Sequence, residues 1–197
     1  MKKYFLIIVF SLAIISGPLF AQNEQGGKRK FINEIGLSGG FPYLGTNIEQ
    51  GKYRPILIMA NFAHSFTKNE NNKSSLWINF EPQINPASVG HNFKYIEYGL
   101  NISMKYSFAI VPCVLVYVMP GYGVYNITVN TERQANGLIF GINLPAGFQV
   151  KLNKMTALNF QYRFRHLSNG GLKNPNLGLQ NNFIVFGISR FLGNYRK

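Results

Sequence analysis

His166 and Ser168 are separated by one residue in a run, 155–168, whose side chains alternate in character. In an extended chain this spacing puts both on one face with about 7 Å between their Cα atoms, so the side chains can lean into a hydrogen bond. A histidine that takes the proton of a serine hydroxyl activates that serine as a nucleophile. The same two residues would also be ordinary where a strand ends at a lipid headgroup layer, and spacing alone leaves both readings open. Other reactive types are sparse. All seven acids are glutamate, and the absence of aspartate removes aspartate-containing triads and EF-hand calcium loops. With Cys113 as the single cysteine, neither an internal disulfide nor a cysteine-rich zinc site can form. His64 and His91 complete a set of three histidines, too few to suggest a multi-histidine centre, so no metal and no cofactor are expected. Gly36-Leu37-Ser38-Gly39-Gly40 matches the G-x-S-x-G spacing of a nucleophile elbow. That elbow needs a strand–turn–helix setting, and this segment reads as a strand, so the match is set aside.

The elements that must position His166 and Ser168 are strands. The chain has 197 residues, enough for one domain, with 15% aromatic residues and 20 glycines, a composition that points to strands and turns. Residues 1–21 read as a signal peptide: Lys2 and Lys3, an apolar stretch over 4–15, the breakers Gly17 and Pro18, and Ala21 for cleavage. The mature chain would be 22–197, with net charge +11 against +13 for the whole. No later segment approaches the ~18 apolar residues of a membrane helix. Period-two alternation fills the rest. Over 93–106 the even positions read Lys94, Ile96, Tyr98, Leu100, Ile102, Met104 and Tyr106, while Glu97, Asn101, Ser103 and Lys105 stand among the odd ones. Eight such segments are predicted, at about 32–42, 54–66, 74–83, 93–107, 111–125, 136–151, 154–167 and 180–192, separated by turn-rich stretches such as 69–73 and 169–171.

A lipocalin-like soluble barrel and a membrane barrel both bury eight alternating strands. The apolar rows are long and bulky, too large for an eight-stranded interior, whereas the opposite rows carry glycine, asparagine, serine, glutamine and charge. The expected fold is therefore all-β, an eight-stranded antiparallel transmembrane up-and-down barrel, with apolar rows toward lipid and a polar lumen. An exported barrel of this kind belongs in the outer membrane of a Gram-negative bacterium. Parity aims His166 and Ser168 toward lipid and Arg163 and Arg165 into the lumen. Glu81 and Glu97 also face the lumen, on strands that do not neighbour the one carrying His166. Cys113 is read as a packing residue on a lipid-facing row. His64 and His91 are assigned to the interfaces. The basic excess lacks any nucleic-acid recognition motif. Lys52, Arg54, Lys94, Arg133 and Lys173 fall near the outer rim, where phosphate groups of lipid would meet them, and 28–30, Arg190, Arg196 and Lys197 fall on the periplasmic side.

The residues His166-Leu167-Ser168-Asn169-Gly170-Gly171-Leu172-Lys173-Asn174-Pro175-Asn176-Leu177-Gly178 resemble the signature of the lipid A 3-O-deacylase (PagL) family, whose pattern runs His-x-Ser-Asn-(Ala/Gly)-Gly-(hydrophobic)-x-x-Pro-Asn-x-Gly and is followed by a glutamate. The resemblance implies an outer-membrane esterase acting on lipid A of lipopolysaccharide. It assigns His166 as general base, Ser168 as nucleophile, and Asn176, with the Gly171 amide, to the oxyanion; Asn169 belongs to the same substrate-binding stretch. The family's glutamate falls on Gln180. A glutamine carbonyl can accept the histidine Nδ1–H and fix its tautomer, but it supplies no charge for the imidazolium. That departure leaves a non-catalytic barrel, or a deacylase relative that has lost activity, as the alternative.

Overall fold

Strict alternation leaves each strand with one apolar and one polar face, and an antiparallel sheet closed on itself satisfies both faces and every backbone group. The computed structural model, which describes residues 33–49, 51–66, 73–90 and 92–192, has this form. Its strands are β1 (Glu34–Ile48), β2 (Gly51–Pro55), β3 (Leu57–Ser65), β4 (Ser74–Val89), β5 (Asn92–Val111), β6 (Val114–Val118), β7 (Gly121–Ile127), β8 (Gly137–Lys151), β9 (Thr156–Ser168) and β10 (Leu179–Phe191). β2 and β3 both lie between β1 and β4, and β6 and β7 both lie between β5 and β8. The ten segments are thus eight staves, two of them interrupted. The breaks follow Pro55 and fall at Met119-Pro120, where proline offers no amide to the ladder. β1 pairs with β10 from Glu34↔Phe191 to Gly45↔Asn181, closing the barrel.

Several strands outrun their predicted ends. β1 continues past Pro42 to Ile48, with a register shift between Pro42 and Leu44 that absorbs one extra residue as a bulge. β4 and β5 extend to Val89 and from Asn92, so that hairpin is taller than its alternation suggested. Cys113 is not on a lipid-facing row: it lies exposed in the turn between β5 and β6. The predicted signal peptide, the basic run 28–30, His91, Arg196 and Lys197 lie outside the described residues.

The outward faces carry the bulky rows, including Leu37, Phe41, Tyr98, Leu100, Ile102, Leu144, Phe148 and Tyr162, all exposed. The inward face is layered rather than uniformly polar. Buried ion pairs run down the lumen: Arg165 Nη1 to Glu97 Oε1 at 3.0 Å and Arg163 Nη2 to Glu81 Oε1 at 2.7 Å, then Lys105 Nζ to Glu34 Oε2 at 2.9 Å toward the end where β1 starts. At the end where the long connections 128–136 and 169–178 emerge, the lumen is filled instead by Tyr53, Tyr125, Ile127, Ile139, Leu167 and Leu179. The expectation of a polar lumen holds for the middle and fails at this end, where the inward positions are aromatic or aliphatic.

Candidate active site

β9 ends at Ser168 and β10 begins at Leu179, at the long-loop end of the barrel. In the register, His166 stands opposite Gln180 on β10 and Ile142 on β8, and Ser168 stands opposite Phe140. Arg163, Arg165 and Leu167 alternate with them and are fully buried in the lumen, so His166 and Ser168 share the outward, half-buried face that parity predicts.

The connection after Ser168 is organised by two asparagines. Asn169 is buried, and its Oδ1 accepts the Gly171 amide at 2.9 Å while its Nδ2 donates to the Lys173 carbonyl at 2.6 Å. Gly170 and Gly171, at φ 65 and 82, make the left-handed turn that this side chain bridges. Asn176 Oδ1 accepts both the Ser168 hydroxyl at 3.0 Å and the Asn169 amide at 2.9 Å. Because a backbone N–H requires an acceptor, the Asn169 amide fixes which end of the Asn176 side chain faces Ser168, and leaves Nδ2 as a donor beside it. The Gly170 amide points at Ser168 Oγ from 3.2 Å.

Asn176 is held from behind by the connection between β7 and β8. Gln134 forms an antiparallel bridge with Asn176, the Ala135 amide donates to the Pro175 carbonyl at 2.9 Å, and the Leu177 amide donates to the Arg133 carbonyl at 2.6 Å. Lys173 Nζ adds a bond to Asn136 Oδ1 at 2.8 Å. Two connections distant in sequence therefore form one short ribbon over the site.

His166 rests on Gly178. That glycine has φ +81, and a Cβ built on it would lie 2.6 Å from His166 Cε1 and 3.1 Å from Nε2. His166 Nδ1 is buried without a hydrogen-bond partner. Gln180, the cross-strand neighbour of His166, is exposed, and its backbone is clamped by Thr46, whose Oγ1 donates to the Gln180 carbonyl at 2.7 Å and accepts the Gln180 amide.

Every predicted site residue thus gathers at one end of the barrel, with three differences in detail. The Ser168 hydroxyl donates to Asn176 and not to His166. The Gly171 amide is committed to Asn169, and Gly170 supplies the amide nearest Ser168. Gln180 is adjacent to His166 but does not bond its Nδ1. Thr46 and Gln134 were not legible in the sequence because they arrive from other connections, and Arg133, expected as a rim cation, also lends its carbonyl to the ribbon. Gly178 was visible in the motif as a letter, without its role as the seat of the imidazole. Among the rim cations, Lys52, Arg54, Lys94 and Lys173 are exposed and Arg133 is half-buried. No cluster of three or more metal-ligating side chains occurs among the described residues.

No curated protein sequence matches the chain. Among solved structures it resembles the outer membrane enzyme PagL, at 14% identity and a TM-score of 0.55, over 78% of this chain and 97% of that one. It also resembles Neisserial surface protein A (NspA), at 10% identity and a TM-score of 0.53, over 80% of this chain and 94% of that one. At such identities the likeness is one of fold: both are small outer-membrane barrels. The family model for lipid A 3-O-deacylase (PagL) matches residues 58–189, from β3 into β10, and so encloses His166, Ser168, the two organising asparagines, Gly178 and Gln180. The chain belongs to the lipid A 3-O-deacylase (PagL) family.

Proposed function

We propose that the protein is an outer-membrane serine esterase that removes an ester-linked acyl chain, the 3-O chain, from lipid A of lipopolysaccharide. The observation that carries this reading is the placement of Ser168 beside His166 on the lipid-facing wall, with Asn176 pinned against the serine by the ribbon of 133–135 and 175–177. Polar side chains on a lipid-facing wall are costly unless they act there. An outer-leaflet lipid lying along this wall presents its ester at the level of Ser168.

In the resting arrangement the serine proton is parked on Asn176. Rotation of the hydroxyl toward His166 passes that proton to the imidazole as Oγ attacks the ester carbonyl. The Asn176 Nδ2 and the Gly170 amide, the loop amide nearest Ser168, receive the negative charge on the carbonyl oxygen. His166 then gives that proton to the departing sugar oxygen, which leaves as a hydroxyl, and water, activated by the same imidazole, releases the fatty acid from Ser168. Gln180 serves as the orienting residue: a rotamer change brings its carbonyl to His166 Nδ1, fixing the tautomer without adding charge. The chemistry uses no metal and no cofactor.

The test is mass spectrometry of lipid A from a Gram-negative host expressing wild type, Ser168→Ala or Gln180→Glu. The expected result is loss of one 3-hydroxyacyl chain with wild type, a fall of at least ~10³-fold with Ser168→Ala, and a gain of ~10-fold or more with Gln180→Glu, since the charge restored there stabilises the imidazolium. The rival reading, a lapsed deacylase or non-catalytic barrel, draws on Gln180 and the unpartnered His166 Nδ1. Unchanged lipid A with a folded wild type would select it, and activity appearing only with Gln180→Glu would identify a lapsed enzyme.

A further inference from the structure

Beside the candidate base lies a cavity of about 350 Å³, walled by Thr46 and Asn47 of β1, Arg133, Gly178, and Gln180 and Asn182 of β10. It shares a wall with the imidazole, because Gly178 carries the His166 ring and Gln180 faces His166 across the strand pair. No carboxylate lines it. Glu132, next to Arg133 in the chain, turns its Oε1 to the Glu49 amide at 2.9 Å.

Arg133 is held rigidly by its backbone. Its carbonyl accepts the Leu177 amide at 2.6 Å, and its amide donates to Thr131 Oγ1 at 3.2 Å. Its side chain, by contrast, has no ion pair among the described residues, and its Nε is buried without a hydrogen-bond partner. A buried guanidinium N–H without an acceptor is costly, and the group's planar fork matches a phosphate. Asn182 accepts the Tyr162 hydroxyl through Oδ1, which leaves its amide nitrogen as a second donor at the cavity wall. The volume exceeds what a bare phosphate needs and is in the range of small-molecule sites.

We infer that this cavity seats a phosphate-bearing sugar of the lipid substrate, with Arg133 as the phosphate ligand, and thereby sets which ester reaches Ser168. The inference rests on the esterase reading above. Lipid A is a phosphorylated, acylated glucosamine disaccharide, so a phosphate held on one side of His166 leaves an acyl ester of the same sugar within reach of the other. A phosphate of a neighbouring anionic lipid offers the same chemistry, and the experiment separates the two sources.

Binding is measured by native mass spectrometry on the full barrel in detergent, in the Ser168→Ala background so that nothing turns over. The probes are phosphorylated lipid A, the same lipid A after enzymatic dephosphorylation, and phosphatidylglycerol. The expected result is at least tenfold preference for the phosphorylated form, lost with Arg133→Gln and partly recovered with Arg133→Lys. In the Ser168-intact enzyme, Arg133→Gln should lower kcat/KM on phosphorylated lipid A at least tenfold and lower it far less on the dephosphorylated form. Equal weakening on both forms would overturn the proposal by making Arg133 merely a support of the ribbon. A rate that depends on added phosphatidylglycerol through Arg133, with no preference between the two forms of lipid A, would assign the phosphate to a neighbouring lipid and overturn it also. No turnover of either form, with the binding preference intact, would refute the esterase reading while leaving the phosphate site standing.

Discussion

A methyl group at residue 178 would meet the His166 ring at 2.6 Å, on a backbone whose φ of +81 disfavours any side chain. Gly178→Ala should therefore displace the imidazole and reduce lipid A deacylation by ~10²-fold, the scale on which small misplacements of a reacting group act. The heat-modifiable mobility of the folded barrel should persist, because the residue lies in the connection and not in a stave; retained activity would show that the ring does not need its glycine seat. At this scale the sequence was informative wherever the chemistry is local. His166, Ser168 and Asn176 stand within one short run, and their assembly followed from their spacing and resemblance. Rotamers were not legible. The hydroxyl of Ser168 meets Asn176 because the backbone amide of Asn169 has already fixed the asparagine's orientation, a choice that depends on the folded turn.

Between elements, the decisive contact is the ribbon that joins 133–135 to 175–177. Ala135→Pro removes the donor to the Pro175 carbonyl, and proline has no amide to replace it. The expected outcome is a fall in deacylation of at least ~10-fold, through a loosened Asn176, with unchanged resistance of the barrel to urea. A drop in urea resistance alongside activity would show that the connection braces the whole barrel. Strands were the most legible part of the chain, since alternation is a property of neighbours in sequence. The interruptions after Pro55 and at Met119-Pro120 were not, because the inward–outward pattern resumes on the far side of each break. The pairing of the two connections was also hidden: neither segment alternates, and only the closed barrel brings them together.

Across the molecule, Glu81 and Glu97 reach over the lumen to arginines on β9, a strand neither one neighbours. Parity placed all four residues inside, but which acid meets which base depends on the width of the closed barrel. Arg165 is the most heavily supported: its two terminal guanidinium nitrogens engage Glu97, at 3.0 and 3.1 Å, and the group lies over Phe183. Glu97→Gln would leave that cation buried without a counter-charge and should cost ~3 kcal/mol or more of folding free energy, read from urea midpoints in lipid vesicles. No shift of the midpoint would mean that the lumen rehydrates around Arg165. The same ion pairs, with the aromatic and aliphatic layer above them, leave the polar middle of the described barrel a cavity of about 30 Å³, room for a water molecule or two. Among the described residues, side chains and ion pairs fill that interior. A barrel filled in this way meets its surroundings with its outer wall and its rim, so extra copies add to the membrane wall and rim surface.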